Sequence, residues 1–529
     1  MLTCWRFTPT LCLPSSKDSR FLRLSCRAEN LHTSVSGTHE RKKKVVIVGS
    51  GWAGLGAAHH LCNQGFDVTV LESGNGFSGA DDVGIQGFWN PFQNIFSLVD
   101  ELGIKPFTHW TASAQYSAEG LEVEFPIFQD LPRLPTPLGT LFYPQFTRLP
   151  LLDRLTSLPL MAAVIDFDNT DTAWRKYDSI TARELFKQFG RSERLYRDII
   201  GPLVHIGLFA PGEQCSAAAT LGVLNYLVLA HQKDFDMVWC RGKIKEKIFE
   251  PWMDAMRTKG CKFLEGNKAI DVVLNEETNS ISEVVCSGET YEADAVILAI
   301  GISTLRELIQ NSSALCTRED FLKVLNLSSI DVLTAKLWLD RKVNVPKTSN
   351  ASSGFGDSFG WTFFDLNMMY DEHKDDPATV IEADFYHANE LLPLKDDLIV
   401  AKVSSYLSKH IKGFETATVL EVEIERYPKS MTHFFPGSYK SMMRGSTSIP
   451  NLFMAGDWIV TRHGSWAQEK AYVTGLEAAN RIIDSLGEGS FARIIPVEED
   501  EPHIEALRTL NRRFNGLREQ VPFSDYFLQ

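Results

Sequence analysis

Short apolar runs alternate with glycine-rich turns and helical patterns in the first part of the chain. The run 45–48 is followed by glycines, by an alanine-rich helical pattern that ends near Gln64, and by a second apolar run over 68–71. Short apolar runs bounded by turn residues are typical of buried strands, and a helix between two of them is typical of a parallel sheet. The sequence therefore predicts a strand, turn, helix, strand unit here.

Two later segments continue the same layer. The apolar run 295–299 ends at Gly301, and the run 452–455 leads through a Gly-Asp pair into a helical pattern over 469–484. Each has the apolar run and turn expected of a buried strand. We therefore expect one layer assembled from three pieces that lie far apart in the chain.

The segments between these pieces have a different pattern. Residues 140–232 are mostly helical in pattern, and Thr181 and Glu184 have the spacing of a capping box. Strand-like segments at 332–339 and 380–386 predict a second sheet.

Composition and charge exclude several classes of function. The chain has 529 residues, of which 44% are hydrophobic, and a formal net charge of -14. This length allows a large core in about two or three domains. Nucleic acid is not expected as a partner, and an anionic membrane surface is not favoured globally, because a negative protein is not attracted to phosphate. The nine cysteines include no CxxC pair and no metal-ligand spacing, which fits reduced, buried thiols and predicts no metal site.

The first 40 residues differ in composition from the rest. Up to residue 27 there is one acid against five basic residues, amid Ser, Thr and Leu; the basic residues are Arg6, Lys17, Arg20, Arg23 and Arg27. This is typical of an organelle transit peptide, and a tail without a targeting role is the alternative. Composition does not separate a plastid signal from a mitochondrial one.

The sequence contains no stretch long and apolar enough to predict a membrane span. The nearest candidate, 149–167, is interrupted by Asp153, Arg154 and Asp166. Its Leu, Met and aromatic content would suit a surface that dips into lipid, and core packing is the alternative that we favour for the same residues.

A glycine pattern stands at the first turn. Gly49, Gly51 and Gly54 form GxGxxG between the first strand and its helix, and Glu72 ends the second strand. The first glycine allows a tight turn, the second lets the backbone approach a pyrophosphate, and the third lets helix and strand pack closely. An acid about 20 residues further on holds a ribose hydroxyl, and the lack of a basic residue beside it disfavours NADP. The pattern predicts a dinucleotide site.

Three blocks of sequence are similar to one family. They are VVIVGSGWAGLGAAHHL with DVTVLES at the glycine turn, GIQGFWNPFQNIFSLVDELGI over 84–104, and PNLFMAGDWIV with AQEKAYVTG over 450–475. Over residues 43–484 the chain resembles the FAD-dependent amine oxidase and phytoene desaturase superfamily, most closely its plant carotenoid desaturase branch. The resemblance implies bound FAD, an apolar substrate, a quinone as electron acceptor, peripheral membrane association and a plastid location.

The same resemblance assigns FAD contacts to a set of positions. They are Gly49, Gly51, Trp52, Ala53, Gly54, Glu72, Ser73, Gly79, Gly84, Ala269, Gly301, Gly456, Asp457, Glu469 and Ala471. Gly456 and Asp457 correspond to the pair that meets the pyrophosphate and ribityl chain, with an ordinary helix cap as the alternative role for Asp457. Glu469 and Ala471 correspond to the start of a helix whose positive end points at the flavin and stabilises its anionic reduced form.

The segment after the ribose acid departs from the family pattern. Gly74 stands where the family has an arginine, Ser78 and Gly79 replace a Gly-Gly pair, and the chain reaches Gly84 early, so we expect a strand or hairpin to be missing. Lys470 replaces a glycine in the last block. These changes bear on the pyrophosphate contacts and on turnover more than on the fold.

Few residues are candidates for catalysis. A desaturase of this type passes a hydride from an allylic carbon to the flavin and loses a neighbouring proton, so alignment and a dry channel are the main requirements. Arg462 and His463 could contact the flavin or handle the proton, with an ordinary surface pair as an equal alternative. Lys336 is a weaker candidate that a solvated strand lysine explains more simply. The hydrolase and metalloenzyme motifs SxxK and HExxH are missing from the sequence.

The predicted fold class is α/β, with a Rossmann-like FAD-binding domain of the amine-oxidase type and an interleaved α+β substrate domain. We predict a transit peptide or disordered segment over 1–40 and a discontinuous FAD-binding domain over 41–130, 240–305 and 445–490. The predicted substrate-binding domain covers 131–239 and 306–444. A C-terminal tail follows over 491–529, with an amphipathic helix over 502–518.

Three functions are compatible with the sequence. The first is a carotenoid or isoprenoid desaturase-like dehydrogenase that transfers a hydride from an apolar substrate to the flavin. The second is an amine oxidase, in which the same fold oxidises a C–N bond and passes electrons to oxygen. The third is a non-catalytic protein that binds FAD or a pigment, which the altered segment after the ribose acid would fit.

Overall fold

The computed structural model describes residues 41–74, 76, 83–353, 358–461, 463 and 467–518. Its strands, in chain order, are β1 (Lys44–Val48), β2 (Asp67–Leu71), β3 (Gly87–Trp89), β4 (Ser113–Ser117), β5 (Gly120–Phe125), β6 (Gln145–Phe146), β7 (Met237–Trp239), β8 (Lys262–Leu264), β9 (Ala269–Asn275), β10 (Ser280–Cys286), β11 (Thr290–Glu292), β12 (Ala295–Leu298), β13 (Ser328–Leu339), β14 (Ser349–Ser352), β15 (Gly360–Asp365), β16 (Val380–Tyr386), β17 (Val419–His433) and β18 (Leu452–Met454).

The α-helices are α1 (Trp52–Asn63), α2 (Gln93–Leu102), α3 (Leu138–Phe142), α4 (Leu151–Leu155), α5 (Leu160–Asp166), α6 (Asp171–Tyr177), α7 (Ala182–Gln188), α8 (Glu193–Leu195), α9 (Gly201–Leu208), α10 (Ala217–Leu224), α11 (Glu250–Arg257), α12 (Ile302–Asn311), α13 (Glu319–Val324), α14 (Leu366–Met369), α15 (Asp396–His410), α16 (Gln468–Leu486) and α17 (Pro502–Arg518).

A parallel sheet has the strand order β18-β12-β1-β2-β8. Its central strand β1 is buried on both faces: Val45 and Ile47 pack with α1 and α16, while Val46 and Val48 pack with α12 and the small antiparallel sheet β9-β10-β11. Burial on both faces explains the continuous apolar runs in the sequence. The strand predictions over 45–48, 68–71, 295–299 and 452–455 are therefore confirmed to within one residue at their ends. Strand β8 was not predicted, because it is short and begins with an exposed lysine.

A second sheet contains eight strands in the order β17-β13-β16-β15-β14-β4-β5-β6. Its pairs are antiparallel except for β14 with β4. The predicted strands at 332–339 and 380–386 are β13 and β16, near its middle. The segment 41–130 supplies β4 and β5 to this sheet as well as β1 and β2 to the parallel sheet, so the proposed domain boundaries cut across strand pairing.

The helical segment between the sheets follows the predicted pattern. At the start of α7, the Thr181 hydroxyl accepts a hydrogen bond from Glu184 N at 3.0 Å, and Thr181 N donates to the Glu184 carboxylate at 2.8 Å. The capping box is confirmed. Helix α17 has the predicted bounds and packs against α5.

The described residues from Lys42 onward belong to one compact unit. Of the cysteines that the structure describes, Cys316 is exposed and the others are buried, as the sequence pattern indicated; the buried ones are Cys62, Cys215, Cys240, Cys261 and Cys286. Within the described ranges, every helix is too short or too polar to cross a bilayer.

Candidate functional site

A cavity of about 720 Å³ begins at the carboxyl ends of β1, β2, β12 and β18 and continues to one face of the eight-stranded sheet. Crevices at this end of parallel strands are the usual ligand sites of α/β folds. We call the part lined by residues 48–53, 71–74, 299–301 and 456–457 the glycine-loop half. We call the part lined by Phe125, Leu203, Ile206, Phe209, Phe235, Met237 and Phe364 the apolar half. Lys268, Lys429 and several hydroxyl side chains also line the cavity, outside the glycine-loop half.

The turn after β1 leaves no room for side chains. Gly49 has a φ of +105°, and a Cβ atom added there would lie 2.2 Å from the carbonyl oxygen of Ala299. A Cβ on Gly54 would lie 1.9 Å from the carbonyl oxygen of Gly49. The backbone can therefore approach a ligand closely, and Gly54 supports the turn from behind without lining the cavity.

Two helix N-termini open onto the cavity. Trp52 and Ala53 of α1 line it, as do Gln468 and Ala471 of α16. The residues before these helices, Gly51 and Ala467, have no side chain that could cap the first N–H groups. Free N–H groups and the positive end of each helix dipole favour a phosphate at α1 and an anionic ring at α16. This arrangement fits the pyrophosphate and the reduced ring of FAD.

Glu72 lies at the end of β2 with its carboxylate held in place. Its Oε2 accepts hydrogen bonds from the hydroxyl of Ser50 at 2.6 Å and the backbone N of Ser50 at 3.3 Å. Its Oε1 accepts from the hydroxyl of Ser73 and the backbone N of Gly74, each at 3.1 Å. These four bonds fill the acceptor sites of the carboxylate, so a ribose hydroxyl would bind here in place of the rotatable hydroxyl of Ser50 or Ser73. Ser50 was not predicted, although it lies inside the glycine pattern.

Gly456 and Asp457 line the cavity at the end of β18. The backbone N of Gly456 donates to the hydroxyl of Thr474 at 2.9 Å, so α16 fixes the turn. Burial raises the pKa of Asp457, and the charge of Lys470 opposes that rise. Burial lowers the pKa of Lys470 to about 8, although the negative charges of Asp457 and Glu477 act to raise it. The lysine that replaces a family glycine thus supplies charge beside Asp457.

Glu469 is fully buried but does not line the cavity. Its carboxylate accepts from Asn94 N at 2.9 Å, Asn94 Nδ2 at 2.7 Å and Ile95 N at 3.0 Å, and therefore caps the N-terminus of α2. His463 Nε2 lies 3.5 Å from Glu469 Oε1. The Glu469 side chain, to which the resemblance assigns an FAD contact, fixes α2 against α16, because the first N–H groups of α2 need an acceptor.

Gly84 also lies outside the cavity lining, whereas the next three residues, 85–87, line it. Gly84 has a φ of +67°, and an added Cβ would lie 2.5 Å from Asp384 Oδ2. A side chain is excluded at Gly84 by this close contact with a buried carboxyl group. Asp384 was not predicted; the signal for it was the pair of acids at 382 and 384 in an otherwise apolar strand.

Of the other predicted residues, some line the cavity and some do not. Ala269 and Gly301 line the cavity beside the glycine turn. His463 and Lys336 do not, and Lys336 Nζ lies 3.8 Å from a carboxylate oxygen of Glu372. Gly79 and Arg462 lie outside the described residues.

The two halves of the cavity differ in charge. Among the described residues that line the cavity, the carboxylates are those of Glu72 and Asp457, both in the glycine-loop half. Groups of three or more His, Cys, Asp and Glu side chains placed to hold a metal ion do not occur in the described part of the chain. The apolar half therefore suits an uncharged, hydrophobic ligand.

Comparison with known proteins agrees with this geometry. The family described as flavin containing amine oxidoreductase matches residues 52–483. The 15-cis-phytoene desaturase of Synechococcus elongatus is 22% identical over 473 residues, which cover 83% of this chain and 96% of that protein. The chloroplastic/chromoplastic 15-cis-phytoene desaturase of Arabidopsis thaliana is also 22% identical over 473 residues, covering 83% and 80%.

A solved structure shows the same fold. Cyclohexylamine oxidase from Brevibacterium oxydans IH-35A superposes with a TM-score of 0.65 at 14% identity, covering 85% of this chain and 100% of that one. The predicted α/β fold with a Rossmann-like FAD-binding part is confirmed, as is the predicted cofactor. The family match spans most of the chain, and the cavity brings together the glycine turn, Glu72 and the Gly-Asp pair. This chain therefore belongs to the flavin containing amine oxidoreductase family and is an FAD-dependent oxidoreductase.

Proposed function

We propose that this oxidoreductase dehydrogenates a large, uncharged apolar substrate of the carotenoid or isoprenoid type. The observation that carries the proposal is the apolar half of the cavity, where the described lining residues include aromatic and aliphatic side chains and no carboxylate. A protonated amine would need a negative partner to offset its desolvation. A hydrocarbon needs only apolar walls.

The chain's own residues supply binding, orientation and a dry site. FAD, when bound, accepts the hydride. The contacts we propose for it are made by the predicted residues that line the cavity, namely Gly49, Gly51, Trp52, Ala53, Glu72, Ser73, Ala269, Gly301, Gly456, Asp457 and Ala471. The N-terminus of α16 favours negative charge on the reduced ring. The apolar walls hold the substrate and exclude water.

An exposed apolar surface supports entry of such a substrate from lipid. Phe142, Leu151 and Leu152 have 61%, 57% and 79% of their surface exposed. The helices α3 and α4 that carry them flank Phe146 and Leu149, which pack in one cluster with Phe125 and Leu203 of the cavity wall. We infer peripheral binding to a membrane through this surface, with a membrane quinone as electron acceptor. Flotation with neutral liposomes tests it: Leu151→Ser with Leu152→Ser should abolish binding, and Leu420→Ser, at an exposed leucine elsewhere, should not.

A plastid location is supported by the basic, serine-rich composition of residues 1–40 and by the chloroplastic relative. A fluorescent protein fused after residue 40 should enter plastids. Import into mitochondria, or retention outside both organelles, would contradict this location.

The substrate proposal is tested by flavin reduction. The purified protein with bound FAD is mixed anaerobically with phytoene or ζ-carotene in liposomes, and bleaching of the visible flavin band is followed. We expect bleaching with a carotenoid and none with alkyl amines. Leu203→Ser, in the apolar wall, should keep FAD and lose bleaching, while Leu420→Ser should keep both.

The opposite outcome identifies an amine oxidase. Peroxide formation when amines are added in air, with no bleaching by carotenoids, would overturn the proposal. It would also show that the desaturase resemblance does not extend to the substrate.

A further inference from the structure

Two carboxyl groups lie behind the cavity wall. Side chains alternate along β16, so Glu382, Asp384 and Tyr386 share one face of the eight-stranded sheet. Tyr386 lines the cavity. Asp384, fully buried, lies opposite Thr362 of β15, which also lines the cavity. The acids therefore form a layer directly beneath the wall.

The hydrogen bonds of Asp384 are incomplete if both acids are ionised. Oδ2 accepts from the backbone N of Ile85 at 2.7 Å, while Oδ1 receives no N–H or O–H hydrogen bond from the described residues. Glu382 lies two residues from Asp384 on the same face of β16, so its carboxyl group is a neighbour of Asp384. Two neighbouring carboxylates in a poorly solvated place repel each other, whereas a carboxylic acid and a carboxylate can share a hydrogen bond. Burial and the charge of Glu382 raise the pKa of Asp384, and burial raises the pKa of Glu382.

Asp384 holds a short segment against the cavity. The carboxylate contacts the backbone at Gly84, where no Cβ would fit, and binds the next N–H. Gln86 lines the cavity and accepts a hydrogen bond from Gln468 Nε2 at 2.8 Å. Gln468 is the first residue of α16. Asp384 thus connects the second sheet through segment 84–87 to the helix N-terminus that faces the flavin site.

The surroundings favour retention of one proton. Lys336 of β13 and Lys243, which follows β7, are the cations whose charge acts on Glu382, and Glu423 and Glu425 of β17 add negative charge. The phenols of Tyr370 and Tyr386 stay neutral, because burial raises the pKa of both.

We infer that Asp384 is a positioning residue of the active site, which shares a single proton with Glu382 and so fixes segment 84–87 at the cavity wall. Loss of that proton places two negative charges side by side in a buried site. The repulsion separates the acids and loosens the hydrogen bond to Ile85, which changes the surroundings of the bound flavin.

The test follows the visible absorption of bound FAD between about pH 6 and pH 9.5, without substrate. Wild-type protein should show a spectral transition on the alkaline side. Asp384→Asn and Glu382→Gln should bind FAD and lack the transition, because an amide replaces the shared proton with its own N–H. Glu421→Gln removes an exposed acid that lies on β17, on the same face of the sheet, and should keep the transition.

Hydrogen exchange supplies a second readout. In Asp384→Ala the peptide containing Ile85 should exchange about tenfold faster, since one hydrogen bond is lost. Asp384→Asn should retain protection through its amide oxygen. If the alanine variant does not fold, the asparagine and Glu421→Gln variants still decide the question.

Two results would overturn the inference. A flat wild-type titration would show that the shared proton does not act on the flavin site. A transition that persists in Asp384→Asn would assign it to another group, of which Lys470 beside Asp457 is the first candidate. Because no substrate is used, either result is independent of the proposed function.

Discussion

The two halves of the cavity are built in different ways. In the glycine-loop half the backbone of short turns after four parallel strands makes the site, as at Gly49 and Gly456. In the rest of the cavity, side chains from β4, β14, β15 and β16 meet only because a sheet aligns them. A site made by backbone is specified by a short motif, while a site made by side chains depends on strand pairing.

Buried acids show the same contrast. Glu72 and Glu469 each accept several hydrogen bonds from N–H and O–H groups, which suits an ionised carboxylate. Asp384 accepts one such bond and faces a second acid, which suits a retained proton. The number of donors around each acid therefore distinguishes Asp384 from the two glutamates.

The largest effect is expected for Gly49→Ala, which changes the backbone of the glycine-loop half directly. The new Cβ would meet the Ala299 carbonyl oxygen at 2.2 Å with φ at +105°, so the turn must move and bound FAD should be lost on purification. Flavin absorbance per protein measures this. Gly65→Ala has a φ of +89° with no atom within 4 Å of the added Cβ and should cost only about 1 kcal/mol while keeping FAD. Equal flavin loss in both would mean that strain, not contact, is responsible.

The second largest effect is expected for Glu469→Ala. It leaves the first N–H groups of α2 without their acceptor in a buried site, and the free energy of unfolding should fall by about 3 kcal/mol. Urea denaturation checks the value. Glu477→Ala, on the same helix but only partly buried, should cost less than about 1 kcal/mol. If Glu469→Ala lost FAD without losing stability, the result would show that Glu469 contacts FAD directly.

Glu72→Gln should act on FAD affinity more than on stability. The amide keeps one acceptor oxygen but loses the charge that strengthens hydrogen bonds to ribose, so we expect about tenfold weaker FAD binding. Fluorescence titration of the apoprotein with FAD measures it. Glu265→Gln, an exposed acid near the same sheet edge, is the matched control and should leave affinity unchanged. Unchanged affinity in Glu72→Gln would remove the ribose role.

The acid pair should show its effect as a slope with pH, which is small over any single pH unit. Because the pKa values of Asp384 and Glu382 are raised in the folded protein, the native state binds more protons than the unfolded state above the usual carboxyl range. The free energy of unfolding should therefore fall as pH rises toward the native titration, by up to about 1.4 kcal/mol per pH unit for one proton. Asp384→Asn should reduce this fall in denaturation curves collected from about pH 5 to pH 8. An identical slope in the variant would contradict a raised pKa.

Local patterns predicted the elements well. The bounds of β16 and α17 agree with the predicted 380–386 and 502–518, because each pattern of apolar positions belongs to one element. The pairing of β4 and β5 with the second sheet was missed, since β14, the strand that joins β4 to the rest of this sheet, lies more than two hundred residues later. Sequence spacing carries no direct information about such partners.

The sequence by itself determined the glycine turn, the acid at the end of β2, the Gly-Asp pair and the family, and with them the fold and FAD. Steric limits on a turn and the reach of a nearby acid act between neighbouring residues, so adjacent positions encode them. Tertiary structure alone decided that Glu469 caps α2 and that Asp384 binds Ile85 across a separation of 299 residues. Burial and the distance between charges depend on packing of remote segments, and these two quantities set hydrogen bonding and protonation.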